Sequence, residues 1–142
     1  MKTSKLGIQL IKGAEGYVST AYRCPAGIWT IGYGHTNGVL EGMTCSPIQA
    51  LRWLSEDLLV AENAVNGLHL KINQNQFDAL VSFVYNLGAA DLYNSTLLKK
   101  IKANANDPSI RDEFEKWDYG DGRVLSGLVT RRKDEANLYF SN

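Results

Sequence analysis

Residues 17 to 38 break the helical periodicity that governs the rest of this chain. In that stretch Tyr, Val, Thr, Ile and Trp stand between Gly27, Gly32, Gly34 and Gly38, so β-prone side chains alternate with points where the backbone can turn tightly. A small antiparallel sheet of short strands is the simplest fold for such a segment. The sequence on either side reads as helix, and the expected class is therefore α+β. With 142 residues the chain falls within the range of one domain and can bury a substantial core.

The helices carry their own start and stop signals. Ahead of the sheet, Leu6, Leu10, Ile11 and Ala14 recur at helical spacing from Thr3 or Ser4, and Gly16 stops them, which predicts a first helix over about 4–15. Behind it, Ser46-Pro47-Ile48-Gln49 combines a capping serine, proline at the first helical position and glutamine three residues after the cap. Leu51, Leu54, Leu58, Ala61 and Val65 continue to Gly67, predicting a long connecting helix over about 47–66. Asn73 to Gln76 repeats the capping arrangement, and Phe77, Leu80, Val81, Val84 and Leu87 follow to Gly88 as the strongest amphipathic stretch. Further helices are expected from about Ser95 to Ala103, from Pro108 to Trp117 behind an Asp107 cap, and from about Leu128 to Phe140. The expected organisation is one unit over 1–142, with lobes over about 15–45 and 67–142.

Charge excludes several partners. Fifteen basic and fifteen acidic residues balance, so no summed positive field draws the chain to nucleic acid or an anionic membrane. The longest basic run, Arg131-Arg132-Lys133, is followed at once by Asp134 and Glu135 and reads as a solvated helix face. No stretch approaches the roughly 18 apolar residues of a membrane span, and Met1 to Ala14 lacks the apolar core and cleavage site of a secretory signal. Neither stable membrane insertion nor self-export is expected. Cys24 and Cys45 could pair, but two thiols make no disulfide framework, and a core of this size needs no bridge. His35 with Cys24 and Cys45 lacks the close ligand pairs that zinc prefers, so His35 reads as a structural histidine and no metal is expected.

Three chemically active side chains stand at fixed spacing: Glu15, then eight residues, Cys24, then five residues, Thr30. Cleavage of a glycosidic bond needs a proton donor for the leaving oxygen and a second group that activates water or stabilises the transition state. Glu15 suits the first task, since its helix runs directly into the sheet, although a lone glutamate at a helix end is ordinarily just solvated. Three roles are open to Cys24: a thiolate made available by a local positive charge, a neutral thiol that places water, or a buried structural cysteine in a protein without activity. The Thr30 hydroxyl both donates and accepts, as holding a nucleophilic water requires.

The spacing of these three residues resembles the catalytic signature of the phage-type lysozymes, glycoside hydrolase family 24, most members of which carry aspartate where this chain has Cys24. The resemblance extends to Trp29-Thr30-Ile31-Gly32-Tyr33-Gly34-His35-Thr36 as the family's sheet segment. Phe77 to Gly88 is similar to its central buried helix, and Gly127 to Glu135 to its C-terminal helix. It implies a lysozyme-like α+β fold, with a small antiparallel sheet lobe and a helical lobe joined by a long helix. It also implies an endolysin-type muramidase acting on the β-1,4 bond between N-acetylmuramic acid and N-acetylglucosamine in peptidoglycan. In that reading Glu15 is the acid, Cys24 and Thr30 flank the attacking water, and Arg131, early in the last helix, pairs with the glutamate. Tyr33, Tyr22 and Trp29 become candidates to line a sugar cleft, with His35 supporting them. The family implies no nucleotide, metal or organic cofactor. It points to a monomer made in the host bacterial cytoplasm that reaches glycan strands in the periplasm with the help of a holin-type permeabilising partner. The missing aspartate leaves a second reading open: a catalytically silent lysozyme-like module that binds glycan or a protein partner.

Overall fold

The computed structural model describes residues 1–120 and 122–141. Helix α1 (Lys5–Glu15) starts where the Ser4 side chain accepts a hydrogen bond from the Gly7 amide, and it ends at Gly16. Strands β1 (Val18–Arg23) and β2 (Trp29–Gly32) form an antiparallel hairpin with Tyr22 opposite Thr30 and Arg23 opposite Trp29. A third segment adds to β1: the Ala21 amide donates to Met43 and the Cys45 amide to Ser19, each at 2.9 Å, with Thr20 bridged to Thr44.

Helix α2 (Pro47–Asn66) has the bounds its Ser46 cap and Gly67 stop predict. Helix α3 (Gln74–Leu87) carries the reciprocal Asn73/Gln76 capping box, and every residue from Gln76 to Val84 is buried. It is the axis of the core, with α1 and α2 packed against it. Helix α1 is tied down at its start. The fully buried Asp78 of α3 accepts from the Ser4 amide, the Ser4 hydroxyl and the Gln74 side chain, which places a carboxylate at the positive end of α1. Gly7 crosses directly above it, where a Cβ would lie 2.8 Å from the Asp78 carboxyl carbon.

Helices α4 (Ala89–Tyr93), α5 (Thr96–Ala103) and α6 (Ile110–Glu115) follow. The last is shorter than the expected 108–117. Asp107 accepts from both the amide and the hydroxyl of Ser109, at 2.9 and 2.8 Å, so its side chain closes a turn instead of capping a helix at Pro108. Helix α4 and the hairpin β3 (Tyr119–Gly120) with β4 (Arg123–Val124) have no counterpart in the sequence expectation, because neither is long enough to repeat a period. No helix among the described residues is long and apolar enough to cross a membrane.

Helix α7 (Ser126–Tyr139) packs on α3 and α6 and brings the main correction. The run Arg131-Arg132-Lys133-Asp134-Glu135 is not a solvated face: Arg131, Arg132 and Glu135 are buried, and only Lys133 and Asp134 are exposed. Positions 131, 132, 135 and 139 share one side of the helix, so the same periodicity that exposes two of these charges turns three of them inward. Inside, Glu135 faces both guanidinium groups and Arg131 also faces Glu15, so opposite charges are paired.

Candidate active site

Glu15, Cys24 and Thr30 line one cleft of about 580 Å³, walled by the end of α1, the β1–β2 hairpin, the end of α3 and the β3–β4 hairpin. Glu15 closes α1 with its side chain 16% exposed. Gly34 makes the seat for it: that residue takes a φ of 75°, and a Cβ there would collide with the Glu15 carboxyl.

Behind Glu15 lies Arg131, whose Nη1 contacts Glu15 Oε2. The guanidinium is held on its other edges by α3, with Nε donating to the Ser82 hydroxyl at 3.3 Å and Nη2 to the Ser82 carbonyl at 3.2 Å. Glu135 completes the arrangement. Its Oε2 accepts the Ser82 hydroxyl at 2.5 Å and Arg132 Nη2 at 3.2 Å, and lies 3.4 Å from Arg131 Nε. Arg132 Nε sits 2.8 Å from Glu135 Oε1. Arg132 Nε and Nη1 and Glu135 Oε1 form no hydrogen bond among the described residues. Burial pushes the Glu135 carboxyl above its ordinary range and pulls the Arg132 guanidinium below its own, each opposed by attraction to the other. Arg132 lies over the Phe83 ring at 5.1 Å and donates from Nη2 to Asn86 Oδ1 at 2.7 Å.

A second wall is assembled locally. The Ile28 carbonyl accepts both the Cys24 amide and the Thr30 hydroxyl, each at 2.9 Å, and the Gly27 amide donates to the Cys24 carbonyl at 2.8 Å. Tyr22 is paired with Thr30 across the hairpin, so their side chains share a face, and Cys24, two residues beyond Tyr22, falls on the same side. Because the Thr30 proton is committed to Ile28, its oxygen faces the cleft as an acceptor.

Tyr85 joins the walls. Its hydroxyl donates to the Tyr33 carbonyl at 2.5 Å, anchoring the turn that carries Gly34 to α3, and burial holds the phenol well above the ordinary tyrosine range. Gly34, Thr36, Tyr85 and Gly88 also line an adjoining hollow of about 340 Å³ on the α2 side.

Of the aromatics considered for the cleft, Tyr22 lines it, whereas Tyr33 and Trp29 do not. The Tyr33 ring packs on Tyr17 and under Lys12, and its part near the cleft is its carbonyl. Trp29 carries the Arg23 guanidinium over its ring. His35 is 5% exposed, stacked on Trp53, with Nδ1 2.7 Å from Asp57 Oδ2. Both cysteines are free. Cys45 pairs beside Ser19, and Cys24 lies five residues further along the strand, roughly 15 Å away at the rise of an extended chain and far beyond disulfide reach.

Sequence reasoning overlooked Ser82, Tyr85, Asn86, Arg132 and Glu135. Ser82 carried the one available signal, a hydroxyl in the middle of the most apolar helical run.

Known proteins resemble this chain along nearly its whole length. The sequence profile of the family described as Phage lysozyme matches residues 12–135. An endolysin of Acyrthosiphon pisum secondary endosymbiont phage 1 is 40% identical, with 99% of each chain covered. Among solved structures, the muramidase domain of SpmX from Asticaccaulis excentricus superposes with a TM-score of 0.88 at 36% identity, covering 99% of each chain. The endolysin from Escherichia coli O157:H7 phage FAHEc1 gives 0.86 at 36% identity, covering 99% of this chain and 94% of that one.

Proposed function

The chain belongs to the phage lysozyme family and is a peptidoglycan hydrolase, and from that premise we propose that it cleaves the β-1,4 bond between N-acetylmuramic acid and N-acetylglucosamine. Glu15 gives its proton to the leaving oxygen. As it does so its carboxylate forms against Arg131, so the negative charge develops where a fixed cation already stands. Thr30 accepts a hydrogen bond from the attacking water, and Cys24 stands beside it where most of the family has aspartate. A thiol is a weaker base than a carboxylate at neutral pH, so Cys24 acts by placing the water more than by taking its proton. Tyr22 offers an aromatic face to a pyranose ring. By likeness to the family's inverting members, water attacks from the side away from the acid, with inversion at the anomeric carbon.

The observation that carries this reading is the convergence of Glu15, backed by Arg131, with Cys24 and Thr30 on one cleft. Products of purified peptidoglycan test it. New reducing ends should be N-acetylmuramic acid, first released as the inverted anomer by NMR; N-acetylglucosamine ends would assign the other bond, and a retained β-anomer would sink inversion.

The same reading makes residues 1–142 one catalytic unit of two lobes acting as a monomer, made in the host cytoplasm and active on the wall in the periplasm. A holin-type partner gives it access, so permeabilised Gram-negative cells should clear while intact ones do not. Cys24 in place of aspartate supports a second reading, a silent glycan- or protein-binding module. Equal failure of wild type and Glu15→Gln to clear peptidoglycan that both still pull down would select it.

A further inference from the structure

The buried charge network ends on the cleft wall, and the chemistry of its last link fixes what that wall presents. Asn86 stands near the end of α3, half-buried, lining the cleft with Glu15, Cys24 and Thr30. Its side-chain oxygen lies 2.7 Å from Arg132 Nη2. A guanidinium has donors and no acceptor, so the amide has one orientation: oxygen toward Arg132 and NH₂ away from it. Arg132 is in turn immobilised, fully buried between Glu135 at 2.8 Å and the Phe83 ring at 5.1 Å. Two other hydroxyls that line the cleft are spent on backbone carbonyls, Tyr85 on Tyr33 and Thr30 on Ile28. Asn86 Nδ2 donates to no protein acceptor among the described residues.

We propose that Asn86 is a specificity residue, a clamped N–H donor that takes a carbonyl acceptor of the glycan strand. This rests on the peptidoglycan reading above. Sugar hydroxyls donate as well as accept and offer such a group no selectivity. The carbonyls of the strand, acetamido on both sugars and lactyl on muramic acid, only accept. A de-N-acetylated sugar presents an ammonium, which sets donor against donor and brings a second positive charge toward Arg132. The chain therefore discriminates against de-N-acetylated glycan, and Arg132 is the positioning residue that enforces the choice.

Binding isotherms at pH 6 with N-acetylglucosamine oligomers and their de-N-acetylated counterparts test this. Asn86→Ala should weaken the acetylated oligomer about 3–10-fold, the worth of one hydrogen bond, and leave the de-N-acetylated one nearly unchanged. Asn86→Asp keeps Arg132 paired, so its fold is secure, and should reverse the preference; the Asn86 side-chain amide resonances of wild type should shift on adding the acetylated oligomer. Muramic-acid-containing glycan is the second arm: a loss in Asn86→Ala confined to it assigns the acceptor to the lactyl carbonyl, and a loss with both ligands to the acetamido group. Equal ratios in wild type and both variants, with no loss on muramyl glycan, overturn the proposal. Clearance of peptidoglycan is read separately: a wild type that clears nothing yet keeps an Asn86-dependent ratio fails as a hydrolase and retains this contact.

Discussion

On one wall of the cleft Glu15 is held by a residue 116 positions away, through a guanidinium 5% exposed and fixed by a buried hydroxyl and a second carboxylate. On the other, Cys24 and Thr30 hang from a single carbonyl, that of Ile28, inside one hairpin. The first wall exists only when α1, α3 and α7 are packed together, and the second needs little more than its own turn. Glu15 is thus coupled to global stability, whereas Cys24 and Thr30 can be altered with the fold left alone. Exchanging Cys24 should therefore leave the architecture around it undisturbed.

The largest effect that tests this contrast is on chemistry. Glu15→Gln should lower peptidoglycan clearance by about 10²–10⁴-fold while remaining folded by circular dichroism, since general acid catalysis contributes on that order. Clearance within a few-fold of wild type would remove Glu15 from the mechanism.

Next comes the network behind it. Glu135→Ala leaves Arg132 buried without its countercharge, and urea denaturation should show a loss of about 3–5 kcal/mol. A loss under 1 kcal/mol would mean that water or rearrangement compensates, and that the acid wall is less dependent on packing than its geometry indicates.

The hairpin wall should respond the other way, in activity and not stability. Thr30→Val removes the acceptor for the water and should cost about tenfold or more in rate, with a melting temperature close to wild type. Cys24→Asp should preserve or raise activity and Cys24→Ser should keep part of it; complete loss in Cys24→Asp would contradict a water-placing role.

The smallest effect concerns the link between the walls. Tyr85→Phe deletes the hydrogen bond to the Tyr33 carbonyl and should cost about 1 kcal/mol below pH 9. The folded phenol titrates above its unfolded value of about 10. Below that value both states carry the proton and the contribution is complete; above it the unfolded chain loses the proton first, so stability falls as pH rises. Wild type should therefore lose stability above pH 10 more steeply than Tyr85→Phe, and parallel curves would rule out a buried phenol.

Much of this molecule was legible in its sequence. The Ser46 and Asn73 caps and the glycines at 16, 67 and 88 marked helix ends, because capping is satisfied by residues three or four positions apart. The hairpin side of the site was readable for the same reason, since Cys24 and Thr30 are brought together by a turn between them. Tyr33 shows where such reading stops: an aromatic in a strand is equally suited to a cleft or to packing on Tyr17, and only the fold chose the latter.

By itself, then, the sequence determined the α+β class, the positions of the main helices and hairpin, and the spacing that aligns with the phage lysozymes. These rest on periodicity and local hydrogen bonding, which are properties of neighbours. Tertiary structure alone decided that Arg131, Arg132 and Glu135 turn inward, that the two thiols lie apart, and that Asn86 faces the cleft as a donor. A charge is buried or solvated according to whether distant segments deliver its counterion and hydrogen bonds. Arg131 and Arg132 share Glu135 on their own helix, and their remaining partners, Glu15, Ser82 and Asn86, come from segments that no local pattern joins to them.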